Sequence, residues 1–106
     1  MKLSVIILNY NVRYFLELCL QSVEAAIQNL DAEIIVVDNN SSDESCMMVK
    51  QNFPKVKLIE NKENLGFSKG NNIGVQHAKG EYLCILNPDT VVDTWLFMAN
   101  KIDTKN

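Results

Sequence analysis

Four short apolar runs punctuate the chain: LSVIIL at 3–8, EIIVV at 33–37, VKLIE at 56–60 and YLCIL at 82–86. The first, second and fourth are apolar without alternation and rich in β-branched residues. That pattern predicts strands covered on both faces. The third sets Val56 and Leu58 against Lys57 and Glu60, which predicts an edge strand with one wet face.

The segments between the runs carry helical spacing. Over 12–30, Phe15, Leu18, Cys19, Val23, Ala26, Ile27 and Leu30 form one stripe, with Asn11 placed to cap it. Over 43–53, Cys46, Val49 and Phe53 repeat the theme. Ser41 or Ser42 is the expected cap, Asp43 and Glu44 fall in the first turn, and Pro54 stops the helix. Over 67–78, Phe67, Gly70, Asn71, Gly74 and Ala78 share a side whose small residues let the helix lie close to a sheet. Gly80 sits where a C-terminal cap is expected. A last helix is expected over 92–101, with Val92, Trp95, Leu96 and Ala99 inward.

Strand and helix thus alternate four times, the signature of an α/β fold with a parallel sheet flanked by helices. The continuous runs place strand 1 centrally and the alternating run places strand 3 at an edge. The expected order is 3-2-1-4, a Rossmann-like arrangement.

Composition narrows the function. The chain has 106 residues, 47% of them hydrophobic, enough for one globular core. Its net charge of −3 and lack of Lys/Arg clusters exclude a nucleic-acid backbone as the main partner. Cys19, Cys46 and Cys84 are widely spaced and odd in number, which reads as small buried thiols in a reducing compartment. No apolar run reaches membrane-spanning length, and Asn9 and Asn11 interrupt the first run too early for a signal peptide. The expected location is the cytoplasm.

In an open α/β sheet a ligand sits outside the carboxyl ends of the strands, where strand order reverses. The residues just past the four runs are Asn9-Tyr10-Asn11, Asp38-Asn39-Asn40-Ser41-Ser42-Asp43, Asn61, and Asn87-Pro88-Asp89. Each group alone is a good turn or cap. Their convergence on one rim, with two acidic positions and an aromatic, points to a binding site instead. Tyr10 beside Asp38 and Asn39 suits a nucleobase. Asp89 offers a hard oxygen for Mg²⁺ or Mn²⁺, which would neutralise a diphosphate. GFSKG at 66–70 lacks the P-loop pattern, and no G-x-G-x-x-G follows the first run. His77, next to Lys79, reads as a solvated surface histidine.

Three stretches, SVIILNYN at 4–11, EIIVVDNNSSDES at 33–45 and NLGFSKGNNIGVQHAKGEYLCILNPDTVV at 64–92, resemble in order and spacing the family 2 glycosyltransferases of the GT-A fold. The LNPDT version looks closest to their rhamnosyltransferase-like branch. The resemblance covers positions 3 to about 98. It implies a nucleotide-sugar donor, a UDP- or dTDP-sugar, held by Leu8, Asn9, Tyr10, Asp38, Asn39, Gly66, Lys69, Asn71 and Asn87. It implies Asp89 as the ligand of Mn²⁺ or Mg²⁺. Asn87-Pro88-Asp89 corresponds to the family's D-x-D, with Asn in the first place. Asn39 stands where the family carries the second member of an acidic pair.

The whole enzyme is expected to invert at the anomeric carbon: a base deprotonates an acceptor hydroxyl, which displaces the metal-assisted diphosphate. The chain ends 17 residues after Asp89 and offers no assignable base. The expectation is therefore a donor-binding part, cut before the acceptor-binding part and inactive alone. The expected partners are the donor, a saccharide or lipid-linked acceptor, a second copy of the chain at an open sheet edge, and, for the full-length protein, the membrane periphery. Two other readings share the fold: a catalytically silent nucleotide-binding module and a nucleotidyltransferase-like enzyme. The latter normally has a Gly-rich basic loop after strand 1, which LNYNVRY lacks.

Overall fold

A computed structural model describes residues 2–89 and 102–103. The expected helix over 92–101, with Val92, Trp95, Leu96 and Ala99, lies outside the described residues.

Strand β1 (Leu3–Asn9) leads into helix α1 (Arg13–Ala26), then β2 (Ala32–Asp38), α2 (Ser45–Asn52), β3 (Lys57–Glu60), α3 (Gly66–His77), β4 (Tyr82–Leu86) and β5 (Ile102–Asp103). The sheet order is β3-β2-β1-β4-β5. The pairs β1–β2, β1–β4 and β2–β3 are all parallel, as the expected order 3-2-1-4 requires. The fifth strand was not expected. It runs antiparallel to β4 and pairs only Tyr82 with Asp103 and Leu83 with Ile102. The β4 edge is therefore partly covered, not open along its length.

Pleating divides the sheet's side chains between two cores. Leu3, Val5 and Ile7 of β1 join Ile34, Val36, Cys84 and Leu86 in a cluster with Leu16, Cys19, Leu20 and Val23 of α1 and Met48 and Val49 of α2. Ile6, Ile35, Val37 and Leu83 form the second cluster under α3, with Ala78 and, at its margin, Leu8 and Ile73. Burial on both faces is why these runs lack alternation. β3 keeps its ends exposed, as an edge strand should.

The helices differ from expectation in detail. Cys19, Val23 and Ala26 of the expected α1 stripe are buried, but Leu16 and Leu20 take the inward places expected of Phe15 and Leu18, which are exposed, as is Leu30 beyond the helix. The sequence held two overlapping apolar faces, and packing between the sheet and α2 selected this one. α1 also stops at Ala26, and Ile27 to Leu30 form a turn closed by Leu30 N–H on Ile27 O at 2.8 Å. In α2, Met48 is buried where Cys46 was expected. In α3, Phe67 is exposed.

Gly70 and Gly74 bring α3 onto the sheet as foreseen. A Cβ at Gly74 would lie 2.6 Å from Ile6 Cγ2, and one at Gly70 would lie 2.5 Å from Leu8 Cδ1. Gly80 is not a helix cap, because α3 closes at Ala78. Its role is close approach: a Cβ there would sit 2.6 Å from Ser4 N, and its N–H donates to Ser4 Oγ at 2.8 Å.

Candidate functional site

The exits of β1 and β2 are joined by a buried hydrogen-bond network. Asn9 is fully buried, and Asp38 and Asn39 are nearly so. Asn9 Nδ2 donates to Asp38 Oδ1 at 2.8 Å and to Ser41 Oγ at 3.2 Å. Ser41 donates its hydroxyl to Asp38 Oδ1 at 2.7 Å and its backbone N–H to Oδ2 at 2.8 Å. A carboxylate buried at the end of a parallel strand is tolerable only with several donors, and Asp38 has them. The Cys46 thiol lies against Asp38 and Glu60; burial first, then these carboxylates, push it up to about 12. It stays a thiol and is no nucleophile.

Asn39 ties β2 to the start of α3. Its Oδ1 accepts from Asn61 Nδ2 at 2.9 Å, and its Nδ2 donates to Gly66 O at 3.2 Å. Gly66 takes φ +83°, where a side chain would be strained, and its N–H donates to Asn64 Oδ1 at 2.9 Å. Asp38 and Asn39 are nearly buried and held by these hydrogen bonds, while Tyr10, at 48% exposure, stands outward on the rim with Asn11, Asn40, Ser42 and Asn87.

Neither helix is capped as the sequence suggested. Asn11 has φ +53° and does not cap α1; its Oδ1 accepts from Ser42 N–H at 2.7 Å, and its N–H donates to Ser41 Oγ at 2.9 Å. Ser41 and Ser42 do not cap α2 either. Asp43 does: Oδ1 accepts from Ser45 N–H at 3.1 Å and from the Ser45 hydroxyl. The reason is spatial. The two loops lie side by side, so Asp43 caps α2 locally and also reaches across the rim to the backbone N–H of Arg13 at the start of α1. The roles of Asn11, Ser41, Asp43 and Asn61 escaped sequence reasoning because Asn11 and Ser41 read as caps of the helices that follow them, Asp43 as a first-turn acid and Asn61 as a strand-exit residue, while the bonds that define them cross between loops.

Between the ends of β1 and β4 and the side of α3 lies a cleft of about 310 Å³, lined by Leu8, Phe67, Asn71, Ile85, Leu86, Asn87 and Pro88. This is the predicted switch point between β1 and β4. Leu8, Asn71 and Asn87 therefore meet there. Asn71 is 7% exposed, and its Oδ1 has no hydrogen-bond partner; among the described residues only Asn9 Oδ1 shares that condition. Buried polar atoms are rarely left so. A larger hollow of about 520 Å³ lies at the other end of the sheet, lined by residues such as Glu24, Ile27, Glu33 and Lys55. It holds no unpartnered buried polar atom, so the smaller cleft is the candidate. Lys69 and Asp89 are exposed, Lys69 on α3 and Asp89 past β4. The Cys19 thiol is pushed up to about 11, by burial first and then by Asp89 and Cys84.

No group of three His, Cys, Asp or Glu side chains gathers for a metal among the described residues. Asp89 and Asn87 could contribute one carboxylate and one carboxamide oxygen. That set fits a hard divalent cation completed by phosphate oxygens and water, and does not fit an all-protein cage.

A doubly covered parallel sheet with a polar rim and a cleft at its switch point places the chain among the Rossmann-like α/β folds. The profile described as Glycosyl transferase family 2 matches residues 4–99, and the chain belongs to that family. It is 32% identical over 98 residues to the minor teichoic acid biosynthesis protein GgaB of Bacillus subtilis, covering 89% of this chain and 11% of that protein. It is 35% identical over 92 residues to a dolichol-phosphate mannosyltransferase of Pyrococcus furiosus, covering 84% and 26%. Among solved structures, S. aureus TarS 1-349 in complex with UDP superposes with a TM-score of 0.81 at 28% identity, over 93% of this chain and 31% of that one. The mannosyltransferase PcManGT of Pyrobaculum calidifontis, in complex with GDP-Man and Mn²⁺, gives 0.82 at 27%, over 93% and 30%. The chain spans less than a third of the length of each of these relatives.

Proposed function

We propose that this chain is the donor-binding part of a nucleotide-sugar-dependent glycosyltransferase. The observation that carries the reading is the cleft at the β1–β4 switch point, with Asn71 Oδ1 unpartnered in its wall and Tyr10 exposed on the same rim. Tyr10 stacks on the base, with Leu8 beneath it. Asn9, Asp38 and Asn39 keep the rim in shape, and Gly66 sets the start of α3. Asn71, Asn87 and Lys69 face the ribose and diphosphate. Asp89, with Asn87, holds Mn²⁺ or Mg²⁺, which when bound supplies positive charge against the diphosphate. Glycosyltransferase-family membership and neighbours solved with UDP and with GDP-Man and Mn²⁺ support a nucleoside diphosphate sugar as ligand.

The acceptor is a saccharide or a lipid-linked saccharide, bound by a longer protein of which this chain is a part. The described part of β4 beyond Leu83 has no strand beside it on the β5 side, so a second copy could add there. No described helix is long and apolar enough to cross a membrane.

Calorimetric titration of UDP, dTDP and GDP, with and without Mn²⁺, tests the reading. Metal-dependent binding to the parent, lost in Asp89→Ala, is the expected result. Binding that ignores both the metal and Asp89 would reduce Asn87-Pro88-Asp89 to a turn.

A further inference from the structure

One carboxylate serves two helix starts. Asp43 Oδ2 accepts from the backbone N–H of Arg13, the first residue of α1, at 2.9 Å, while Oδ1 accepts from Ser45, the first residue of α2. Neither helix has a side-chain cap from its own N-cap residue or an acidic residue in its first turn. Each N-terminus favours an anion, and Asp43 supplies it to both.

The same pair of loops is joined twice more. Ser41 Oγ accepts from Asn11 N–H, and Asn11 Oδ1 accepts from Ser42 N–H. Asn11, Asn40 and Glu44 all hold positive φ, and all three lie in these two loops. Non-glycine residues keep such a conformation only where surrounding bonds enforce it. Tyr10 lies inside this stitched segment, between buried Asn9 and Asn11. At 48% exposure its ring is not fixed by a core, so the backbone on either side has to aim it.

We propose that Asp43 is a positioning residue for nucleotide binding: it clasps the Tyr10 loop to the β2 exit and so fixes the ring that receives the base. It touches neither ligand nor metal. The inference rests on the reading that Tyr10 contacts the base, and the test separates the two. UDP affinity in the presence of Mn²⁺ is measured for the parent, Asp43→Ala, Asp43→Asn, Tyr10→Ala and the Asp43→Ala/Tyr10→Ala double variant. Amide hydrogen exchange over residues 10–13 is followed in the same proteins without ligand.

Asp43→Ala should weaken binding by about tenfold, as expected for loss of a cap serving two helices. Asp43→Asn, which keeps one acceptor oxygen, should fall between it and the parent. In the double variant the losses should be clearly less than additive, because both changes act through one ring. Additive losses, or parent-like binding by Asp43→Ala, would overturn the proposal. If the parent binds no nucleotide, the donor-site reading fails and the clasp is decided by exchange: faster exchange at 10–13 in Asp43→Ala upholds it, unchanged exchange ends it.

Discussion

Asn9 and Asp38 are register partners at the last rungs of β1 and β2, and their side chains meet there, Asn9 Nδ2 to Asp38 Oδ1, at 2.8 Å. The bond is buried and brings together the ends of the two strands that shape the rim. Asp38→Ala would remove the acceptor of the Ser41 hydroxyl and N–H and leave Asn9 Nδ2 with Ser41 Oγ alone. The expected loss is about 2–4 kcal/mol of stability, since buried donors facing a charge are left unpaired. Urea unfolding of the two proteins, compared at equal m-values, checks it.

The three close-approach glycines should rank by what each new methyl meets. Gly80→Ala drives a Cβ into the backbone of Leu3 and Ser4 and should be the most damaging. Gly74→Ala meets buried, β-branched Ile6 and should cost about 1–3 kcal/mol. Gly70→Ala meets the tip of half-buried Leu8 and, at 3.2 Å, Asn39 Nδ2, and the gain of about 1 kcal/mol in helix propensity offsets much of that clash. Melting temperatures in the order Gly70→Ala, Gly74→Ala, Gly80→Ala, highest first, are expected.

Asn71 should show a trade between stability and binding. Its Oδ1 is buried without a partner, which carries a penalty of about 1–3 kcal/mol. Asn71→Leu, similar in volume, should therefore melt at or above the parent temperature and bind nucleoside diphosphate more weakly. Weaker binding together with a lower melting temperature would mark Asn71 as a packing residue only.

Asn87→Asp should tighten Mn²⁺ binding in the presence of UDP by adding a second carboxylate beside Asp89. Calorimetry on Asn87→Asp and the parent reads this directly. An unchanged metal affinity would separate Asn87 from the cation.

Asp43 also sets a pH dependence. Its carboxyl is held below the ordinary 3.8: burial opposes this but is outweighed by hydrogen bonds from Ser45 and Arg13. A lowered folded value means stability that is present above 3.8 and lost as pH falls through the folded value. Asp43→Asn should lack this part of the acid limb, so parent and variant stabilities should converge once pH falls below the lowered folded value and separate at neutral pH, as followed by acid titration of the helical signal.

Three continuous runs and one alternating run were enough for the parallel sheet and its order, because burial on two faces writes itself directly into local composition. The polar strand exits were legible for the same reason: no core strand ends in Asn, Asp and Tyr without cause. Which face of α1 goes inward was not legible, since Phe15 and Leu16 are equally apolar and only the sheet and α2 decide between them. Nor were the caps. Asp43 reads as a first-turn acid of its own helix, and nothing local shows that Arg13 of another helix lies 2.9 Å away. Gly80 and Asn71 carry the same lesson, one set by the backbone of β1 passing beside it, the other by a cleft that exists only once β1, β4 and α3 have come together. Periodicity reports burial along a segment; hydrogen bonds and cavities between segments are made by tertiary packing and belong to no segment alone.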